Sequence, residues 1–254
     1  MSLAGIFILI LSIIVPSVGS SENAPKLRDT LEDMVLIPRG TFNRGCDILG
    51  HQHGAPAHLV YVDAFMIDKF EVTNKRFEEV FPEHFLRRSQ FSRCDDCPVT
   101  KINWYEAADY CHLIGKSLPS EAQWERAASN GNGCEFPWGD EFDPQKPQAR
   151  GGLKLKEGSS PVGSFPPNKK GVYDMAGNVW EWVSDWYSVS YYYREIMYNP
   201  RGPDHGIMKV RRGGSWSDSI KAMKTGYRDW SYPFSRGFND IGFRCAINLK
   251  EDSR

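Results

Sequence analysis

GVYDMAGNVWEWVSDWY, residues 171–187, is the stretch whose reading decides the fold. It lies in a region, from Phe136 onward, dense in Gly, Pro and Trp and without clear helical or strand periodicity. Such a region is too aromatic to stay disordered. It has to fold as packed loops and short strands, held by something other than long hydrogen-bonded ladders.

Working toward the N-terminus, regular structure becomes readable. Thr73 is placed to cap a helix through about Val80. Asn103 with Glu106 three positions on has capping-box spacing, after which Trp104, Ala107, Ala108 and Cys111 share a face and Gly115 closes the helix. Ser120 with Gln123 repeats the arrangement, with Trp124, Ala127 and Ala128 as the buried stripe before Gly131. Further back, Met34 to Pro38 and Leu59 to Val62 read as short strands, with Phe65 to Asp68 continuing the second. These elements predict one α+β domain of low regular structure over residues 34–254, entered through a polar segment at 21–33.

The charge balance narrows the function classes. The chain has 254 residues with 31 Lys and Arg against 32 Asp and Glu, a net charge of -1. That removes the broad attraction expected of a binder of nucleic acid or anionic membrane. There is no solenoid-length repeat, heptad pattern or low-complexity tract, and no Walker, Rossmann or Gly-x-Ser-x-Gly fingerprint follows a strand. Residues 1–20 form an apolar leader, with Val18-Gly19-Ser20 before Ser21 as a cleavage point. It reads as a signal peptide or, if uncleaved, an N-terminal anchor, which is the one expected membrane connection. Either way the remainder is expected in a secreted, periplasmic or other extracytoplasmic compartment, where disulfides persist.

Six cysteines follow the leader, an even number that allows 15 pairings. Cys94-Asp-Asp-Cys97 has the spacing of a redox pair or half a zinc site. No second Cys or His cluster matches it, and two aspartates oppose thiolate formation. A structural disulfide is the expectation there, with the redox and metal readings open. His51, His53 and His58 form the one histidine cluster, read as surface-loop residues rather than a metal chelate.

The motifs together resemble the sulfatase-modifying-factor or formylglycine-generating-enzyme superfamily. The matching runs are MVLIPRGTFNRG (34–45), YVDAFMIDKFEVTNKRF (61–77), CPVTKINWYEAADYC (97–111), GKSLPSEAQWERAA (115–128), FPWGD (136–140), the opening stretch 171–187, RRGGSW (211–216) and IGFRC (241–245). The resemblance implies a single formylglycine-generating-enzyme-type domain related to the C-type-lectin fold. It also implies a Cys111–Cys245 disulfide, which would close most of the domain into one loop and contribute about 4–5 kcal/mol in the chain-entropy model.

The resemblance further implies a structural Ca²⁺ held by the Asp174 and Glu181 carboxylates with the carbonyls of Gly177 and Val179, a hard-oxygen set that suits this ion. A second family calcium site is expected to be lost, because Arg150 stands where the family has Asn. Family enzymes hold copper with two cysteines shortly after Arg-Gly-Gly-Ser. Counting from Ser215, those places fall on Asp218 and Met223, and no cysteine occurs between Cys134 and Cys245. Copper is therefore not expected, nor is the iron of the sulfoxide-synthase branch, whose extra histidine-bearing N-terminal domain has no counterpart in 21–33.

Two functions remain. One is an accessory or binding protein for a protein, peptide or small-molecule ligand, through a surface carrying Asp218, Tyr227, Arg228, Trp230, Arg236 and Asn239. The other is an atypical metal-dependent oxidoreductase acting on a peptide or small molecule.

Overall fold

A computed structural model describes residues 31–146, 157–194 and 198–249. The leader and Arg150 lie outside them. Strands β1 (Met34–Ile37) and β4 (Phe65–Asp68) pair antiparallel, and β9 (Ala246–Asn248) completes a three-stranded sheet against β4. Strands β2 (Gly40–Arg44) and β3 (His58–Val62) form a separate antiparallel pair. A four-stranded sheet runs in the order β7 (Arg228–Ser231), β6 (Lys209–Arg212), β5 (Trp180–Trp186), β8 (Ile241–Phe243), with β5 and β8 parallel.

One expectation fails here. Phe65–Asp68 does not continue the Leu59–Val62 strand but crosses into a different sheet. The break falls at Asp63, whose amide is taken by the Asn199 side chain at 2.8 Å rather than by a ladder partner. A switch of sheets keeps the apolar run unbroken, which is why it reads as one strand.

The three expected helices form with the expected caps. Thr73 caps α1 (Asn74–Val80) through the Arg76 amide at 3.2 Å. Asn103 and Glu106 make a reciprocal capping box on α2 (Trp104–Leu113), and Ser120 and Gln123 make another on α3 (Glu121–Ala128). Each box satisfies two orphan amides of the first turn, so these ends are set locally, before any packing.

Two apolar clusters carry the core. One gathers α2 with Trp180, Trp182, Phe243 and Met223, and the other gathers α3 with the inner faces of β1 to β4. Cys111 and Cys245 are bonded inside the first cluster, tying α2 to the link between β8 and β9. Cys46 is bonded to Cys134, and Cys94 to Cys97.

Beneath the second cluster lies a buried ion network. Glu121 receives Arg44 at 2.6 Å, Arg212 at 3.0 Å and Arg228 at 2.8 Å, and Glu125 receives Arg212 at 2.6 Å. The Gly45 amide donates to Glu125 at 2.6 Å. A Cβ on Gly133 would lie 2.7 Å from that carboxylate and 2.4 Å from the Gly45 carbonyl, so backbone, not side chain, has to fill the space.

Candidate cation site and ligand face

The most unusual chemistry is a pair of buried carboxylates facing each other across two loops. Glu71 follows β4 and precedes the Thr73 cap. Its segment is pinned by Val72, whose amide donates to Phe243 O at 2.9 Å and whose carbonyl accepts from Val99 N at 2.8 Å. Asp174 comes from the opening stretch, where it adopts φ 56°, and Asn178 adopts φ 58°. Left-handed conformations at Asp and Asn, which tolerate them better than other side chains, turn this loop back on itself. Asp174 accepts the Gly163 amide at 2.6 Å. Asn178 donates to Glu71 at 3.0 Å and accepts the Ser160 amide at 2.9 Å.

Glu71 Oε2 and Asp174 Oδ1 are buried with no donor among the described residues, and the two carboxyls lie within hydrogen-bond reach of each other, so one proton can be shared between them. Burial first, and then the neighbouring carboxylate, pushes Glu71 well above the ordinary carboxylate range. Burial likewise raises Asp174. Next to them Glu181 takes Arg244 through both oxygens at 2.7 Å each, with the Trp124 indole donating to it at 2.8 Å. Glu181 and Arg244 cancel, so Glu71 and Asp174 leave an excess of two negative charges only when both are ionised. An uncompensated buried pair of this kind is costly unless a proton or a cation relieves it.

The calcium implied by the resemblance fits these residues in donor type, two hard carboxylate oxygens without a donor, and in charge once both carboxyls have given up their protons. The arrangement differs in one respect from the expected set of Asp174, Gly177, Val179 and Glu181. Asp174 is joined by Glu71 and Asn178, while Glu181 is engaged by Arg244. Gly177 donates its amide to Gly213 O at 2.9 Å, and Val179 is buried in the same turn. Among the described residues no three His, Cys, Asp or Glu side chains converge as a metal cage, so backbone carbonyls would have to complete the shell. Sequence reasoning missed Glu71. Its signal was a carboxylate inside an apolar run, Phe70-Glu71-Val72, just before a helix cap.

Asp218 and Met223, which the count from Ser215 sets against the family's copper cysteines, sit in different surroundings. Asp218 Oδ2 accepts the Ser215 hydroxyl at 2.5 Å, the Ser215 amide at 3.1 Å and the Trp180 indole at 2.8 Å. Asp240 accepts Ser215 and Ser217 at 3.1 Å each. Burial, opposed by the Ser215 bond and reinforced by Asp240, raises the Asp218 carboxyl. Met223 is fully buried in the core. All six cysteines are in disulfides.

The six residues expected on one ligand surface separate. Arg228 is a correction: it is 1% exposed and belongs to the Glu121 ion network, because a buried glutamate draws in every guanidinium within reach. Tyr227 and Trp230 are half-buried, with His53 stacked between them at ring distances of 4.6 and 5.8 Å and Tyr187 on the far side of Trp230 at 4.3 Å. Asp218 lies near Tyr227, which packs on Trp180 at 6.2 Å. Arg236 is exposed and reaches Glu106 at 3.0 Å, and Asn239 accepts from Ser89 at 2.9 Å. The histidines diverge: His53 meets the Arg228 carbonyl, His51 meets Tyr193, and His58 meets the Pro56 carbonyl.

Fold and site define a disulfide-bonded α+β domain with a buried acidic pair, Glu71 and Asp174, beside a Gly-Asn-x-Trp-Glu-Trp loop whose Asn178 donates to Glu71. Residues 19–249 match the family model described as the sulfatase-modifying factor enzyme 1-like domain, and the chain belongs to that family. It is 31% identical to the formylglycine-generating enzyme of Mus musculus over 296 residues, covering 89% of this chain and 79% of that one. It is also 33% identical over 257 residues to the serine/threonine-protein kinase pkn1 of Chlamydia pneumoniae, covering 91% of this chain. There it spans only 40% of the relative's length. The solved structure of PvdO from Pseudomonas aeruginosa superposes with a TM-score of 0.70 at 26% identity, covering 85% of this chain and 94% of that one.

Proposed function

We propose that this chain is an exported binding or accessory member of the family that carries a structural calcium and lacks the copper chemistry of formylglycine generation. The observation that carries this is that every cysteine is committed to a disulfide, with Asp218 and Met223 the residues that a gapless count from Ser215 sets against the copper cysteines. Two thiolates suit soft Cu(I), whereas a hydrogen-bonded carboxylate and a buried thioether do not offer that pair. Three disulfides support an oxidising compartment.

The ligand face on this reading is the Asp218, Tyr227 and Trp230 side of the four-stranded sheet, with Arg236 and Asn239 at its margin. Calcium held by Glu71 and Asp174 would supply two positive charges and fix the loop from Gly171 to Trp180 under that sheet. The test is metal content of the purified protein combined with O₂ consumption in the presence of a reductant. Calcium alone, with no O₂ uptake, is expected. Bound copper or iron with turnover overturns the reading in favour of an oxidoreductase.

A further inference from the structure

The Cys94–Cys97 disulfide differs from the other two in exposure and in what it holds. Cys46, Cys111 and Cys245 are fully buried and Cys134 is partly covered, while Cys94 is exposed to solvent. Thiol–disulfide exchange requires an attacking thiolate to reach a sulfur, so Cys94 is the open point of entry. The loop it closes has two intervening residues, so the chain-entropy gain is small beside that of the long-range bridges. Opening it need not unfold the domain.

What the bridge does hold is local. Carbonyls of the bridged loop satisfy the start of α1: Cys97 O accepts Asn74 N at 2.9 Å, Asp95 O accepts Lys75 N at 3.0 Å, and Cys94 O accepts Asn74 Nδ2 at 2.9 Å. On its other side Asp96 O accepts Val162 N at 2.9 Å, and Phe91 O accepts Ser159 N at 2.7 Å. The 159–163 strap so held is the one whose Ser160 and Gly163 amides bind Asn178 and Asp174. The segment before α1 carries Glu71. The chain on either side of the carboxylate pair thus takes part of its support from one small disulfide loop, in addition to the Val72 bonds to Phe243 and Val99. An open groove of about 540 Å³, lined by Glu71, Thr73, Lys75, Asp96, Pro161 and Val162 among others, runs along this junction.

We propose that Cys94–Cys97 is a reducible clamp on the cation site, opened by an external dithiol such as a dithiol protein. The partner thiolate attacks Cys94 Sγ, the Cys94–Cys97 bond breaks, and Cys97 leaves as a thiolate and takes up a proton. The partner's second thiol then displaces Cys94, leaving two cysteine thiols here and one disulfide on the partner. Two electrons pass from the dithiol to the bridge. The released loop no longer fixes the α1 start and the 159–163 strap together, and Glu71 and Asp174 lose their common frame. The coupling to calcium rests on the calcium reading above, whereas the release of the loop does not.

The experiment treats the full protein briefly with dithiothreitol, maps the freed cysteines by alkylation and mass spectrometry, and measures Ca²⁺ affinity by calorimetry. Amide hydrogen exchange is followed on the same samples, and a Cys94→Ser/Cys97→Ser variant is run in parallel. Alkylation at Cys94 and Cys97 ahead of Cys111 and Cys245 is expected. Ca²⁺ affinity should fall by about tenfold or more, the size seen when outer-shell support is lost, and exchange should rise at Asn74, Lys75, Val162 and Gly163. The variant should match the reduced protein, and dithiothreitol should not change it further. First labelling at another pair, or complete labelling of Cys94 and Cys97 with unchanged affinity and exchange, overturns the clamp. If the oxidised protein binds no Ca²⁺, the calcium reading fails. The exchange data then decide the clamp alone: unchanged protection of those four amides overturns it.

Discussion

Glu121 on α3 and Glu71 before α1 are both fully buried glutamates, yet their surroundings are opposite. Glu121 is met by three guanidiniums and Glu125 shares one of them. Burial alone would raise the Glu121 carboxyl, but Arg228, Arg44 and Arg212 outweigh it and hold it at about 2. Among the described residues Glu71 has no guanidinium in hydrogen-bond contact; it shares its space with Asp174, and each keeps an oxygen without a donor. The first cluster carries its own counter-charges and belongs to the scaffold. The second has no such counter-charge of its own among the described residues, and on the calcium reading it receives one from outside the chain.

The largest effect separates the two by neutralising each glutamate. Glu121→Gln leaves Arg44, Arg212 and Arg228 buried around Glu125 alone, and unpaired buried charge of this kind costs about 3–5 kcal/mol. Urea denaturation should show that loss whether or not Ca²⁺ is present. Glu71→Gln should behave in the opposite way. In chelator it is neutral or mildly stabilising, because it relieves repulsion with Asp174. With calcium at about a hundred times Kd, the wild type gains about 2.7 kcal/mol and the variant does not. Equal responses of the two variants to calcium would remove the contrast.

A smaller effect lies in pH. Asp185 is buried beside α3, its Oδ2 accepting the Glu121 amide at 2.8 Å and the Ser184 hydroxyl at 3.0 Å, while Oδ1 has no partner. Burial, then repulsion from Glu121, raises it to about 6. A raised carboxyl binds its proton more tightly folded than unfolded, so its contribution is present at acid pH and fades as pH rises through about 6. Glu121, held at about 2, has the opposite sign: its contribution is present at neutral pH and is lost as pH falls below the usual glutamate range toward 2. Asp185→Asn should reduce the slope between about pH 4 and 6, leaving the part due to Asp174 and the other raised carboxyls, and stabilise the protein at pH 7 by about 1–3 kcal/mol. The acid limb should remain. Thermal unfolding across pH 3 to 8 reads both limbs, and an unchanged slope between pH 4 and 6 would remove Asp185 from the account.

The same contrast explains what the sequence made legible. Helix starts were readable because a capping box is a local bargain between residues three apart, as at Asn103 and Glu106. That the region after Phe136 packs was readable from its aromatic content, but the four-stranded sheet within it was not, because Trp180–Trp186 is buried along nearly its whole length and shows no alternation. The switch of sheet between Val62 and Phe65 was not, because both segments are apolar and the partner that breaks the ladder, Asn199, is far along the chain. Glu71 was missed for the same reason: its meaning comes from Asp174 and Asn178, more than a hundred residues on. Arg228 was read as surface because arginine usually is, and only its distance to Glu121 shows otherwise.

The smallest effect tests that last distinction between two arginines of the expected ligand face. Arg236 is exposed and its pair with Glu106 is open to solvent, so Arg236→Ala should change stability by no more than about 0.5 kcal/mol. Arg228→Ala instead removes one of Glu121's counter-charges and the cation stacked between Tyr187 and Tyr192, and should cost several times more. The ratio of the two is the informative quantity, since both substitutions remove one positive charge from the same stretch of chain. If denaturation gives equal losses, the buried network does not hold Arg228 as the geometry has it. A loss confined to Arg228 leaves Arg236 free to be judged on ligand binding alone, with no folding defect to confuse the result.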